Sequence, residues 1–237
     1  MTMKERIQNF KNKDAYTVDD IRELVEILRS EDGCAWDREQ THESVRNAII
    51  EETYEFIEGL DSKNTELMKE ELGDVAFQVF FHARMAEENG TFNMDDIADG
   101  VCKKMVLRHP HVFGDVTVSG SDEVLKNWDA IKKTEKSRDT MKKQLESVSA
   151  ALPSLIRAEK LLSRYKREGG EVEKNPETLI AKIQADAAAL TASADSETIG
   201  ELLFSVANLT YALKLNAEQA LYDYNNRFIE EKTEDKL

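Results

Sequence analysis

The sequence predicts a helix-built protein arranged as two tandem modules. Three observations carry that expectation. Only 10 glycines and 3 prolines punctuate 237 residues, too few for a sheet of many short strands. Charged residues make up 33% and hydrophobic ones 41%, a balance that suits ordered, helix-rich protein. Finally, a pattern near residue 73 returns near residue 200, a worn internal repeat.

The elements follow in order. A polar, mixed-charge N-terminal tail precedes Thr17, which can cap a helix to about Ser30 carrying Ile21, Leu24, Val25 and Leu28 at helical spacing. A loop over 31–37 contains Gly33, Cys34 and Trp36. The second helix runs from about Ser44 to Leu60. A third starts at Asn64 or Thr65 and stops at Asn89-Gly90. Asn93 opens a fourth that ends at Arg108, before His109-Pro110-His111, and a fifth spans Ser121 to about Arg138. The highly charged stretch that follows reads as a linker, giving domains 1–138 and 152–237 joined by 139–151.

Four carboxylates stand out from this frame. Glu52 and Glu55 lie three apart on the second helix, and Glu71 and Asp74 three apart on the third. Three residues is about one helical turn, so each pair leaves its helix on one side. At about 100° per residue, Val45, Ile49, Phe56 and Leu60 form a narrow apolar stripe with Glu52 at its edge and Glu55 further round. Leu67, Gln78, Phe81 and Met85 define a face of the third helix that also takes Glu71 and Asp74. Leu72, Ala76, Val79 and Phe80 on its other side predict a central helix, with both acids largely withdrawn from water. No lysine or arginine stands three or four positions from either acid on that helix. Unpaired buried charge is very unfavourable unless it binds metal, so the pattern points to a hard divalent cation. Salt-bridged or solvated helix faces are the plainer alternative.

Charge and motif content exclude several classes. A net charge of −15 does not attract nucleic acid or an anionic membrane surface. No apolar run approaches the roughly 18–20 residues of a membrane span, and no signal-like segment opens the chain. Cys34 and Cys102 are isolated and belong to no CxxC motif, which predicts reduced thiols and a cytoplasmic protein. Glu39-x-x-His42 matches half of a di-iron signature, whose second copy is missing.

The repeat aligns Gly73-Asp-Val-Ala-Phe-Gln-Val79 with Gly200-Glu-Leu-Leu-Phe-Ser-Val206 at constant offset. Thr198 stands where Glu71 would be, and no Glu-Glu-x-x-Glu occurs between Glu177 and Ala194. The second module keeps a packing pattern and lacks the acidic one.

Four ordered blocks then carry a family resemblance: 33–42 (GCAWDREQTH), 51–55 (EETYE), 71–74 (ELGD) and 108–113 (RHPHVF). Together they resemble MazG nucleoside triphosphate pyrophosphohydrolases, with weaker likeness from Glu123 through Trp128 to Lys136 and beyond. Ala35 departs from the proline common in that family. The resemblance implies an all-α bundle, assembled as a homodimer or higher. It implies Mg²⁺-dependent cleavage of a nucleoside triphosphate to monophosphate and pyrophosphate, with Mn²⁺ as an alternative ion. It carries the metal ligands over to Glu52, Glu55, Glu71 and Asp74, and a phosphate-contacting pair to Lys104 and Arg108.

On that reading, water attacks the α-phosphorus in the first module, the one that retains the acids. Lys104 and Arg108 share a face near a helix end and would hold the β- and γ-phosphates; a solvated basic turn is the alternative. Trp36 would stack on the base or pack on a neighbouring helix. Asp37 reads as a capping acid, and His109 and His111 as structural. Two other functions compete: a catalytically weak nucleotide- or metal-binding regulator, and a specialist for dUTP, dCTP or phosphoribosyl-ATP.

Overall fold

The computed structural model describes residues 1–135 and 140–233, and among them it contains thirteen helices and no strand. Residues 136–139, which span the end of the expected first domain and the start of the linker, lie outside the described set, as do 234–237. No described helix is long and apolar enough to cross a membrane. The chain divides into two compact units, Met1–Val124 and Leu125–Leu237.

The first unit contains α1 (Met3–Lys11), α2 (Val18–Leu28), α3 (Ala35–Glu39), α4 (Ala48–Asp61), α5 (Thr65–Glu88), α6 (Met94–Arg108) and α7 (Pro110–Phe113). The division falls within α8 (Ser121–Glu135). The second unit holds α9 (Met141–Glu146), α10 (Ser154–Arg167), α11 (Pro176–Ala189), α12 (Ser196–Leu213) and α13 (Ala217–Thr233).

The dominant packing in the first unit is the α4–α5 hairpin. Its turn is tight: Asn64 N–H donates to the Gly59 carbonyl at 2.9 Å, and Lys63 adopts a left-handed φ of 55°. Any Cβ at Gly59 would meet Met68 at 3.0 Å, so glycine permits the close approach of the two helices. Asn64 caps α5 by accepting from Leu67 N–H, and Asn93 caps α6 with a full capping box. α2 joins α5 through a small core of Val25, Val45, Phe81 and Met85, with Phe77 and Phe80 against it.

Several segments differ from the sequence expectation: α4 starts at Ala48 rather than near Ser44, with 42–47 as turn, and α7 follows directly on Arg108-His109. The N-terminal tail is a helix, α1, started by a Thr2–Glu5 capping box. It has no buried residue, so apolar periodicity is silent there. Arg6 fixes it instead, donating to both carboxylate oxygens of Glu26 at 2.8 Å. The loop over 31–37 contains α3, again with no buried residue. The stretch expected to be linker contains α9, in which Gln144 is buried and accepts from Arg164 at 2.9 Å. Its charges face outward, while Gln144 and Val148 turn in.

The second unit repeats the hairpin theme in α11 and α12, with α10 packed against α12. The sequence repeat falls on α5 and α12, the second helix of each hairpin.

One contact ties the segment before α4 to α5. His42 and His82 stack at 5.1 Å, with Nδ1 atoms 2.8 Å apart, so one ring donates and the other must accept through a neutral nitrogen. Burial, then the facing His42, pushes the His82 pKa below that of an ordinary histidine. The unfolded chain therefore binds more protons at His82 than the folded one. That stability is present above pH of about 6.5 and fades as pH falls further. Urea midpoints measured from pH 7.5 down to 5 should fall more for the native chain than for His82→Leu; equal pH slopes would refute the coupling.

Candidate metal centre

α4 and α5 lie side by side, so the acids of one face those of the other. Glu52, Glu55 and Glu71 each bring a carboxylate oxygen to within 4.8 Å of the other two. Among the described residues this is the one group of three or more His, Cys, Asp or Glu side chains gathered so closely. The three are graded in exposure as the helical wheel predicts for α4: Glu55 is exposed, Glu52 half-buried, and Glu71 only 6% exposed. Oε2 of Glu71 is fully buried with no hydrogen-bond partner.

Asp74 departs from expectation, because it is exposed. The buried contacts of α2 with α5, through Phe81 and Met85, fall in the second half of α5. The turn bearing Asp74 is therefore covered by α4 alone. Leu72, on the face expected to be inside, is half exposed for the same reason. Asp74 remains close enough to act on both Glu52 and Glu71.

The electrostatics are one-signed. Burial first, then the charges of Asp74, Glu55 and Glu51, raise the Glu52 pKa. Burial first, then Glu55, Asp74 and Glu52, raise that of Glu71. For each group the anion is less favourable here than it is in water. The nearest lysine in sequence, Lys69, is engaged with Glu66. A set of convergent, oxygen-only ligands, one with an orphaned buried oxygen, fits a hard divalent cation.

The other expected site residues sit on separate helices. Lys104 is half-buried near the end of α6, and Arg108, its last residue, is 5% exposed. That excludes the solvated basic turn for Arg108. Trp36 on α3 is 62% exposed and so does not pack into a neighbouring helix. His109 Nδ1 contacts the Met105 carbonyl at 2.6 Å, in the turn that joins α6 to α7. Cys34 and Cys102 are free thiols.

Periodicity gives no sign of His82, and it places Gln78 on the inward face of α5 without marking it as a polar group of the site. Gln78 is buried on α5 with Oε1 unpartnered. Its position one turn beyond Asp74 is the signal that marks it in retrospect.

The second unit has no such gathering among the described residues. Asp186 on α11 is buried, but it accepts from Ser205 on α12 at 2.6 Å and pairs with Lys182 at 2.5 Å. Those contacts, Lys182 foremost, hold its pKa down.

Comparison with known proteins finds a family match within the first unit and relatives along most of the chain. Residues 40–113 match the model of the MazG nucleotide pyrophosphohydrolase domain. The nucleoside triphosphate pyrophosphohydrolase/pyrophosphatase MazG of Thermotoga maritima is 39% identical over 211 residues, covering 87% of this chain and 80% of that protein. The nucleoside triphosphate pyrophosphohydrolase of Escherichia coli K12 is 34% identical over 220 residues, covering 89% and 84%. An uncharacterised Bacillus subtilis protein, YabN, is 47% identical over 140 residues, 59% of this chain and 28% of its own length.

The raised pKa values of Glu52 and Glu71 give a stability prediction with a definite sign. With a folded pKa above the unfolded one, stability is greatest at low pH and is lost as pH rises through the folded value. In chelator, Glu71→Gln should therefore melt above the native chain at pH 8, with the gap closing as pH falls to the ordinary glutamate value of about 4.5. Millimolar Mg²⁺ should raise the melting temperature of the native chain and not that of the variant. A lower melting temperature for the variant in chelator would show that Glu71 is not under repulsion.

Proposed function

The chain belongs to the MazG family of nucleotide pyrophosphohydrolases, and on that footing we propose that it hydrolyses nucleoside triphosphates to nucleoside monophosphate and pyrophosphate in its first unit. The single observation that carries the location is the convergence of Glu52, Glu55 and Glu71 between α4 and α5. Asp74 completes the ligand set by a side-chain rotation, which its exposure leaves free. Magnesium, or manganese in its stead, is the cation proposed for these ligands.

A triphosphate carries about four negative charges and would be repelled by bare carboxylates. Bound magnesium supplies the opposing charge and acidifies the attacking water. The chain's own residues do the rest. Glu71 is fixed by burial and presents its orphaned oxygen inward, while Glu52 and Glu55 close the other side. One α4 glutamate orients the water or accepts its proton as it attacks the α-phosphorus. Arg108 and Lys104 take the β- and γ-phosphates, where Arg offers a bidentate fork and Lys a point charge. Exposed Trp36 offers a ring face to the base, a contact that tolerates any base because each has a π-face.

The expected assembly as a homodimer or higher belongs to the same proposal. Ile50, Tyr54, Leu60 and Leu72 on the α4–α5 hairpin all stay 45% or more exposed. Apolar side chains concentrated on one hairpin are what an assembly interface covers.

Pyrophosphate release should be followed with each of the eight common NTPs and dNTPs in Mg²⁺. Release with several supports a broad hydrolase, release with one a specialist, and release with none a regulator. Glu71→Gln should reduce turnover at least about 100-fold while the protein stays folded. Thr198→Ala, in the second unit, should change turnover less than about twofold. A large loss in Thr198→Ala with retained activity in Glu71→Gln would move the chemistry out of the first unit.

A further inference from the structure

α3 raises a problem of support. It has five residues, far below the length at which a helix holds itself in water, and none of them is buried. Its N-cap, Cys34, makes no side-chain capping bond. Yet it carries Trp36, 62% exposed and held out from the surface. Without a packed face, the orientation of that ring must be set by polar contacts to the short helix's backbone.

Two devices set it. At the entry, Gly33 sits against the end of α2, where any Cβ would stand 2.1 Å from the Ile27 carbonyl oxygen. Cys34 N–H donates to Leu28 O at 2.8 Å, closing that turn. At the exit, Arg29 reaches over from the end of α2. Its side chain is 6% exposed. Nη1 donates to the carbonyls of Asp37 at 2.5 Å and Gln40 at 3.2 Å, so a cation faces the C-terminal end of α3. Nε and Nη2 donate to Glu88 at 3.0 and 2.8 Å, at the end of α5. The guanidinium carbon lies 5.3 Å from the centroid of the Phe81 ring, a core side chain. Arg29 therefore joins three helices, and its planar fork meets two carbonyls and a carboxylate together, which a lysine ammonium cannot do.

We infer that Arg29 is a positioning residue for nucleotide binding: through the carbonyls of Asp37 and Gln40 it fixes α3 so that Trp36 meets the base. The substrate half of this inference rests on the proposed stacking role of Trp36; the orienting half does not. Loss of the fork need not unfold the chain. Glu88 keeps Arg84 as a partner at 2.9 Å, and Asp37 and Gln40 are half-buried rather than enclosed, so water can take the place of the lost donor.

The test reads the two halves separately. In a Trp128→Phe background, where Trp36 is the only tryptophan, Arg29→Lys should lower the nanosecond fluorescence anisotropy of Trp36 while circular dichroism is retained. Unchanged anisotropy would overturn the inference. With the best of the eight triphosphates as substrate, Arg29→Lys should raise KM about fivefold, with kcat falling less. In a Trp36→Ala background the same substitution should change KM less than about twofold. An equal rise in both backgrounds would mean that Arg29 acts on binding by some route other than Trp36, which also overturns it. If Trp36→Ala alone leaves KM untouched while the anisotropy still drops, the stacking role falls and the orienting role stands. Arg29→Gln repeats the series should the lysine variant fail to fold.

Discussion

Like charge gathered between two packed helices is the constraint around which the first unit is arranged. Glu52, Glu55 and Glu71 stand within ligand distance of one another, with Asp74 adding to the same field. Charges of one sign a few ångströms apart repel by an amount that grows as water is excluded. A hairpin selected for stability alone would not put them there, since an alanine or a lysine at any of the four positions would relieve the strain. The placement makes physical sense when a cation joins it. The same repulsion then becomes affinity, because no cation of the protein competes for these oxygens in either helix's own turn and Glu71 Oε2 has no partner at all.

Holding such a cluster requires a hairpin that does not spring apart, and the means are modest. The buried apolar cluster has four residues, Val25, Val45, Phe81 and Met85, all towards one end of α5. Much of the remaining fastening is polar. Arg6 ties α1 to α2, Arg29 ties α2 and α3 to α5, and the His42–His82 contact seats the segment before α4. These bonds cluster at the end of α5 remote from the acids. The acidic end stays comparatively bare, which leaves room for a ligand and explains the exposure of Asp74 and Leu72.

What could be read in the sequence follows the same division. Helices that turn apolar side chains inward, α2, α4 and α5, announce themselves by apolar spacing, and α5 and α6 by the caps Asn64 and Asn93. The acids of α4 and Glu71 are legible because they stand against those stripes. α1 and α3 bury nothing, so their existence depends on Thr2 and Glu5, or on Gly33 and Arg29, and no periodicity carries that. In α9 one buried amide, Gln144, sits among lysines and reads as linker. The exposure of Asp74 was illegible for another reason: a helical wheel assigns faces along the whole helix, whereas α2 covers only part of α5. Nothing in the spacing marks His82, because its partner at 2.8 Å, His42, stands forty residues earlier in the chain.

The second unit provides an internal control on the meaning of the acids. α11 and α12 form the same kind of hairpin as α4 and α5, and the sequence repeat lies on the matching helix. There the buried acid, Asp186, is bonded by Ser205 and paired with Lys182, and its pKa is lowered where those of Glu52 and Glu71 are raised. The hairpin therefore packs without any clustered, unpaired carboxylates. Since the architecture does not need them, the four acids of the first unit are not a by-product of folding. They are an electrostatic liability carried in one copy and resolved in the other, and a cation bound as proposed above would relieve it.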